Sequence, residues 1–289
     1  MDQLLQQTLS GVATGAIYAS LALALVMIYR ATESVNFAQG EMAMFSTYIA
    51  WTFMQAGMPY WAAFLLTVAA SFIGGVLIER IVIRPVETAP ILTHVIVFIG
   101  LLVILNSLAG WIFTYMEKEF PSPFPDKPLF HGMITSHDLG VIGVTLCMLV
   151  LLFLFFRFTP LGLAMRAAAQ SPASARLAGI RVGWMLAIGW GLAAAVGAVA
   201  GIMVAPVIFL DPNMMSGVLL YAFAGALLGG ISSPGGAVLG GLIVGVLENL
   251  VGTYLITSDL RLSVALLLIV ITLVVKPSGL FGTTLVRRV

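Results

Sequence analysis

Charged side chains are scarce in this sequence. They make up 9% of the 289 residues, and hydrophobic residues make up 61%. Soluble domains carry about 25% charged residues. The composition therefore excludes a soluble globular domain and indicates an integral membrane protein.

Potential metal ligands are scarce as well. The only cysteine, Cys147, lies inside an apolar run, which excludes a disulfide framework and argues against a thiolate metal site. His94 stands at the start of an apolar run, and His131 and His137 lie in a loop without Cys or acidic residues at ligand spacing. We expect no metal site and no catalytic residues.

The sequence also lacks a phosphate-binding loop. No Gly-x-x-x-x-Gly-Lys-Ser/Thr sequence occurs in it. We therefore expect this chain to have no ATPase site and no bound cofactor, so that any nucleotide hydrolysis belongs to another protein.

Long apolar runs account for most of the chain. A membrane-spanning helix needs roughly 17 to 25 residues, and candidate spans lie near residues 4–29, 38–57, 60–79, 91–115, 139–157, 183–207, 216–231, 236–257 and 261–275. The runs at 216–231 and 261–275 are short, and they could be tilted, broken or partly re-entrant. We predict an all-α integral membrane protein, a polytopic bundle of about eight to ten spans in one domain over residues 1–289.

The positive charges indicate an orientation. When residues 158–182 are placed in the cytoplasm, alternation along the spans leaves only Lys118, Lys127 and Arg261 outside. The other cations then lie inside: Arg30, Arg80, Arg84, Arg157, Arg166, Arg176, Arg181, Lys276, Arg287 and Arg288. This asymmetry follows the positive-inside rule, with the N-terminus outside and the C-terminus in the cytoplasm. The longest external stretch, 116–138, is proline-rich and predicts a stiff loop.

A basic segment at residues 158–182 interrupts the spans. Ser171 is a suitable N-cap, Pro172 suits the first helical position, and Gly179 can adopt the left-handed conformation that ends a helix. We predict a two-turn helix here, too short to be stable unless it rests on another surface. An ordinary surface loop is the alternative that the local sequence leaves open.

Glycines concentrate in the last third of the chain. Pairs one helical turn apart recur between Gly225 and Gly252, which indicates closely packed helices. The stretch from Gly229 to Gly236 is rich in helix breakers and predicts a tight cytoplasmic turn between two spans.

Four motifs together carry a family resemblance. They are Val35-Asn36-Phe37-Ala38-Gln39-Gly40-Glu41 after the first span, residues 159–180, the block from Gly229-Gly230 to Glu248, and the closing Lys276-Pro277-Ser278-Gly279-Leu280-Phe281-Gly282. With these motifs in this order, the chain resembles the permease subunits of branched-chain amino acid ABC importers. Its length and predicted topology are similar to those of the H-type permease.

The resemblance implies a type II-like ABC importer permease in a bacterial inner membrane, moving branched-chain or other apolar amino acids. The implied partners are a second, related permease, two cytoplasmic ATPase subunits that use ATP and Mg, a periplasmic binding protein and the lipid bilayer. No nucleic acid is expected. The helix near 171–179 is then the coupling helix, and the candidate contacts with the ATPase are Arg166, Ser171, Pro172, Ala173, Ser174, Ala175, Arg176, Leu177 and Gly179.

Polar residues in or near the spans are candidates for either pathway or structural roles: Asn36, Gln39, Glu41, Asn106, Glu248 and Asn249. We expect residues 36–41 to form a cytoplasmic turn, with Glu41 favoured by the helix dipole at the start of the second span. A helix break facing the pathway is the alternative. Glu248 shares a helical stripe with glycines, so we expect a structural hydrogen bond there, with a pathway role as the alternative.

Other functions stay open at this point. A permease for urea or short amides would suit the same sparse ionisable residues, and an ion-coupled carrier would work without ATPase partners. A membrane-embedded enzyme would show acids, bases or metal ligands clustered at one depth, whereas the polar residues here are scattered along the chain.

Overall fold

The computed structural model describes residues 2–125, 127–129, 134–254 and 260–282. Its helices are α1 (Asp2–Thr32), α2 (Gln39–Gln55), α3 (Tyr60–Ile78), α4 (Ile91–Phe113), α5 (Ser136–Phe158), α6 (Pro160–Gln170), α7 (Pro172–Leu177), α8 (Val182–Ile208), α9 (Met215–Gly229), α10 (Pro234–Tyr254) and α11 (Arg261–Val275). A π-helical turn (Glu79–Ile83) and a 3-10 turn (Arg84–Val86) extend α3. Strands β1 (Pro128–Leu129) and β2 (Ile134–Thr135) form a small antiparallel pair in the predicted external loop.

Each predicted span coincides with a helix. Among the described residues, six helices are long and apolar enough to cross a membrane: Gln3–Arg30, Tyr60–Val86, Ile91–Phe113, Ser136–Phe158, Val182–Ile208 and Pro234–Tyr254. The apolar helices Met215–Gly229 and Arg261–Val275 are shorter, as their sequences predict. The all-helical polytopic fold is confirmed.

The chain divides into two compact units. The terminal unit comprises Met1–Val26, Ser122–Gly143 and Ser216–Val289, and the central unit comprises Met27–Pro121 and Val144–Met215. The single domain over residues 1–289 stays a prediction.

Helix α8 is the core of the central unit, where it packs against α2 and α3. Gly197 faces Gln39 and Ala43, and Gly201 faces Ala43 and Thr47. Because both residue numbers rise together along this contact, α2 and α8 run in the same direction. The small side chains allow the two helices to approach closely.

In the terminal unit, α10 packs against α1 and α9 through glycines. A Cβ at Gly241 would lie 2.5 Å from Ala19 Cα, closer than any side chain can pack, so only glycine permits this contact. The predicted turn lies between the end of α9 and the start of α10. The closing motif lies beside it, since the backbone N–H of Phe281 donates to the Gly229 carbonyl at 2.9 Å.

Candidate functional sites

A helix that the sequence analysis did not predict, α6, opens the basic segment. Thr159 Oγ1 accepts a hydrogen bond from the Gly162 backbone N–H at 3.0 Å, and Pro160 is the first helical residue. One face of α6 is buried, with Gly162, Met165 and Ala168 at helical spacing. The Thr-Pro cap and this spacing are the signals in the sequence that could have revealed the helix.

The predicted two-turn helix is present as α7. Its N-terminus is capped by Ser171, whose Oγ accepts from the Ser174 backbone N–H at 3.4 Å and donates to Ser174 Oγ at 2.9 Å. Pro172 occupies the first helical position, where its missing N–H costs nothing. The predicted start of the helix is confirmed.

The end of α7 is a Schellman motif. The Ile180 N–H donates to the Ala175 carbonyl and the Gly179 N–H donates to the Arg176 carbonyl, both at 3.0 Å. Gly179 has φ +80°, which a residue with a Cβ adopts only with strain. The predicted glycine stop is confirmed.

One side of α7 is anchored and the other is open. Ala175 is buried in an apolar cluster with Ala168 of α6 and Val182 of α8. Leu177 is 91% exposed, and the neighbouring Arg176 is exposed as well. A nearly fully exposed leucine beside a cation, on a helix fixed from behind, is suited to docking on another protein.

The other predicted contact residues lie mostly on the open side of the same segment. Pro172, Ala173, Ser174 and Gly179 are exposed, as is Arg166 on α6, whereas Ser171 is half-buried and Ala175 is buried. Of the predicted set, Ala175 therefore supports the helix from within and has no exposed surface to offer a partner.

Apart from the exposed Phe37, residues 36–41 are buried, and Gln39 lies against α8. Asn36 Oδ1 accepts from the Ala38 N–H at 3.0 Å, and Gln39 Nε2 donates to the Ala193 carbonyl at 2.9 Å. Ala193 lies about 17 Å along α8 from its first residue, at 1.5 Å per residue. A turn is present at residues 37–38, and its place at the cytoplasmic end of the spans stays a prediction. The local bonds of Asn36 are present as predicted, but they report the turn and not its depth.

A cluster of polar groups surrounds Asn106 in the central unit. Asn106 Nδ2 lies 2.9 Å from the Pro212 carbonyl oxygen, 3.2 Å from Asn213 Oδ1 and 3.4 Å from Glu41 Oε2. The Tyr115 hydroxyl donates to Asn106 Oδ1 at 3.3 Å. We call Glu41, Asn106, Tyr115, Pro212 and Asn213 the Asn106 cluster.

Glu248 lies at the contact between α10 and α1 in the terminal unit. The Tyr18 hydroxyl donates to Glu248 Oε2 at 2.9 Å, and the Tyr18 ring stacks on Tyr221 with centroids 5.0 Å apart. The neighbouring Asn249 donates through Nδ2 to Thr14 Oγ1 at 3.3 Å. The hydrogen bond expected of Glu248 exists across this contact, while its role in transport stays a prediction.

Related proteins agree on one family. The sequence matches, over residues 7–275, the family described as "Branched-chain amino acid transport system / permease component". It is 32% identical to the high-affinity branched-chain amino acid transport system permease protein LivH of Salmonella typhimurium, with 99% of this chain and 97% of the relative covered. The corresponding permease protein BraD of Pseudomonas aeruginosa is 29% identical, with 99% and 98% covered.

A probable branched-chain amino acid transport permease protein of Methanocaldococcus jannaschii is 28% identical, over 91% of this chain and 87% of the relative. The chain belongs to this family of permease components. The recognition made from the four motifs is confirmed.

The structure of the permease also shows what the sequence missed. Sequence reasoning named Glu41 and Asn106 separately, and it overlooked Tyr115, Pro212 and Asn213 altogether. The run Asp211-Pro212-Asn213 is a turn signal, but its contact with Asn106 depends on how the spans pack.

Among the described residues of the permease, no group of three His, Cys, Asp or Glu side chains is placed to hold a metal. His94 Nε2 lies 2.9 Å from the Val86 carbonyl oxygen, and His137 Nδ1 lies 2.8 Å from Ser122 Oγ. His131 lies outside the described residues. The two described histidines therefore have structural partners.

Proposed function

We propose that this permease forms part of the route by which branched-chain or other apolar amino acids enter the cell, driven by ATP hydrolysis on other subunits. The observation that carries the proposal is α7, a capped helix that buries Ala175 and exposes Leu177. Membership in the permease family indicates that the chain takes part in transport. The geometry of α7 supplies a place where an ATPase subunit can act on the chain.

The force passes from α7 to the spans through direct packing. The apolar cluster of Ala168, Ala175 and Val182 joins α7 to α6 and to the first turn of α8. Helix α8 in turn packs along α2 and α3. Displacement of α7 by a closing ATPase therefore tilts α8 together with its neighbours, and such rocking of helix bundles changes access to a central pathway.

The proposed assembly contains a second, related permease, two cytoplasmic ATPase subunits and a periplasmic solute-binding protein. ATP and Mg are used on the ATPase subunits, and no cofactor binds to this chain. Uptake of labelled leucine, isoleucine, valine and urea by proteoliposomes containing the whole assembly tests the solute. Uptake of urea without the amino acids would redirect the proposal to an amide permease.

The proposed orientation places the N-terminus outside and the α6–α7 segment in the cytoplasm. In a Cys147→Ser background, a Lys127→Cys variant should react with an impermeant thiol reagent in spheroplasts. A Gln170→Cys variant should react only after the membrane is opened. The opposite labelling pattern would reverse the topology.

The coupling role is tested at Leu177, because its exposed side chain contributes little to the fold. Leu177→Asp should leave permease yield unchanged and should lower both retention of the ATPase subunits and leucine uptake. The matched control is Leu267→Ala in α11, also exposed at 59%, which should keep both. Normal uptake and normal retention in Leu177→Asp would show that α7 is not the coupling helix.

A further inference from the structure

The Asn106 cluster contains more hydrogen-bond acceptors than the Asn106 amide can donate to. An asparagine amide nitrogen carries two hydrogens, yet Asn106 Nδ2 lies within hydrogen-bonding distance of three oxygens. At least one of these oxygens therefore receives no bond from Asn106. The longest of the three distances, 3.4 Å, is the one to Glu41. The carboxylate therefore receives the weakest hydrogen bond from Asn106.

Glu41 also lacks a cationic partner within the described part of the chain. The ion pair found there joins Arg80 and Glu79, and none involves Glu41. Its side chain is only 6% exposed. Keeping a carboxylate charged when it is removed from water to this extent is costly unless a cation or several strong donors stabilise the charge.

The cluster opens to one side. Asn213 and Tyr115 are exposed, and Asn106 is half-buried. Asn106 lies about 22 Å along α4 from the first residue of that helix, at 1.5 Å per residue, well inside a segment long enough to span the membrane. Polar groups at such a depth face protein or a water-filled cavity and not lipid.

We propose that the Asn106 cluster receives the α-ammonium group of an amino acid as it passes through the permease. An ammonium group brings three donors and a positive charge, which match the weakly hydrogen-bonded carboxylate of Glu41 and the neighbouring carbonyl of Pro212. This inference rests on the proposed function, and it adds a recognition site within the permease itself.

Recognition of the ammonium group is tested with ligands that keep or lose this group. Labelled leucine is bound to the purified assembly of permeases and ATPases, without the binding protein, and is measured by scintillation proximity. Leucine methyl ester, which keeps the ammonium group, should compete. N-acetylleucine, which has lost the positive charge, should not. Equal competition by both compounds, or no binding of leucine, overturns the proposal.

The role of Glu41 in leucine binding is tested with two matched substitutions. Glu41→Gln keeps the shape but removes the charge, and it should weaken leucine binding by about tenfold or more, as expected for a lost charged hydrogen bond. Glu248→Gln changes another buried carboxylate, in the terminal unit, and should leave binding unchanged. Equal weakening in both variants would show a general effect on the fold.

Two other cations could occupy the cluster, and the same assay separates them. If a basic side chain of the second permease pairs with Glu41, Glu41→Gln will reduce the yield of the assembly and leave the ligand preference unchanged. If sodium is the occupant, sodium chloride will displace labelled leucine more strongly than choline chloride does. Either outcome overturns this site, while leucine uptake by the wild-type assembly would still support the proposed function.

Discussion

Two carboxylates, one in each unit, are almost equally buried and differ in their partners. Glu248 is 8% exposed and Glu41 is 6% exposed. Glu248 accepts a short hydrogen bond of 2.9 Å from Tyr18, whereas Glu41 shares the Asn106 amide at 3.4 Å. Burial alone therefore does not distinguish a structural carboxylate from one that is free to receive a ligand. The hydrogen-bond partners make the distinction.

The surroundings of the two carboxylates differ as well: those of Glu248 are tightly packed and those of Glu41 are partly exposed. Tyr18 is itself held by stacking on Tyr221, and the helices on either side touch through Gly241. The Asn106 cluster is formed partly by a loop, and it keeps exposed groups such as Asn213. The Glu248 contact is therefore closed by packing, whereas the Asn106 cluster keeps exposed groups beside its carboxylate, as the proposed ammonium site requires.

The largest effect should follow from adding a side chain at the glycine contact between α10 and α1, on the same helix as Glu248. Gly241→Ala adds a Cβ that meets the α1 backbone at Ala19, and no rotamer change relieves it. We expect about 1–3 kcal/mol of destabilisation or more, measured as a loss of folded assembly in size-exclusion chromatography. Gly235→Ala is the control on the same helix, because nothing lies within 4 Å of its added Cβ. Equal yields from the two variants would contradict the closed contact.

The next effect comes from Glu248 itself. Glu248→Leu leaves the buried Tyr18 hydroxyl without its acceptor, at a cost of about 1–3 kcal/mol, and should lower the yield of the assembly. Glu248→Gln retains an acceptor and should preserve both the yield and most leucine uptake. Normal yield with abolished uptake in Glu248→Gln would make this carboxylate part of the transport mechanism and would end the contrast with Glu41.

Local signals in the sequence predicted the parts of the fold that depend on neighbouring residues. Apolar runs gave the positions of the spans, and Ser171, Pro172 and Gly179 gave the start and stop of α7. The stripe of Gly241, Gly245, Glu248 and Gly252 indicated a face where helices touch. These features follow from helical periodicity and from capping chemistry.

The parts that depend on tertiary packing were not predictable in the same way. The bonds around Asn36 are those of a turn at any depth, so only the contact of Gln39 with Ala193 places the segment beside the middle of α8. The meeting of Asn106 with Pro212 and Glu41 joins three distant stretches of the chain. No spacing in the sequence encodes that contact.

A smaller effect on the fold, and a clear one on transport, is expected at Asn106. Asn106→Ala removes the amide that joins Glu41 to the Pro212 carbonyl, so the cluster should lose its geometry. We expect the maximal rate of leucine uptake to fall by about tenfold with nearly normal assembly yield. The control is Thr52→Val on α2, whose hydroxyl donates to a carbonyl of its own helix, that of Tyr48, at 2.8 Å. A loss of yield as large as that of Glu248→Leu would place both sites in the same structural class.

The smallest effect should come from Asn249, which crosses the same contact as Glu248 with a longer bond. Its Nδ2 lies 3.3 Å from Thr14 Oγ1 and is only partly buried. Its other partner, the Gly245 carbonyl, belongs to the same helix. A double-mutant cycle with Asn249→Ala and Thr14→Val should give a coupling energy near 0.6 kcal/mol, about the average for hydrogen bonds between membrane helices. The cycle with Glu248→Leu and Tyr18→Phe, measured in the same unfolding assay, should give the larger value, because its bond is shorter and more deeply buried. If Asn249 and Thr14 prove the more strongly coupled pair, Glu248 is not what holds α10 to α1, and its carboxylate becomes as available to a ligand as that of Glu41.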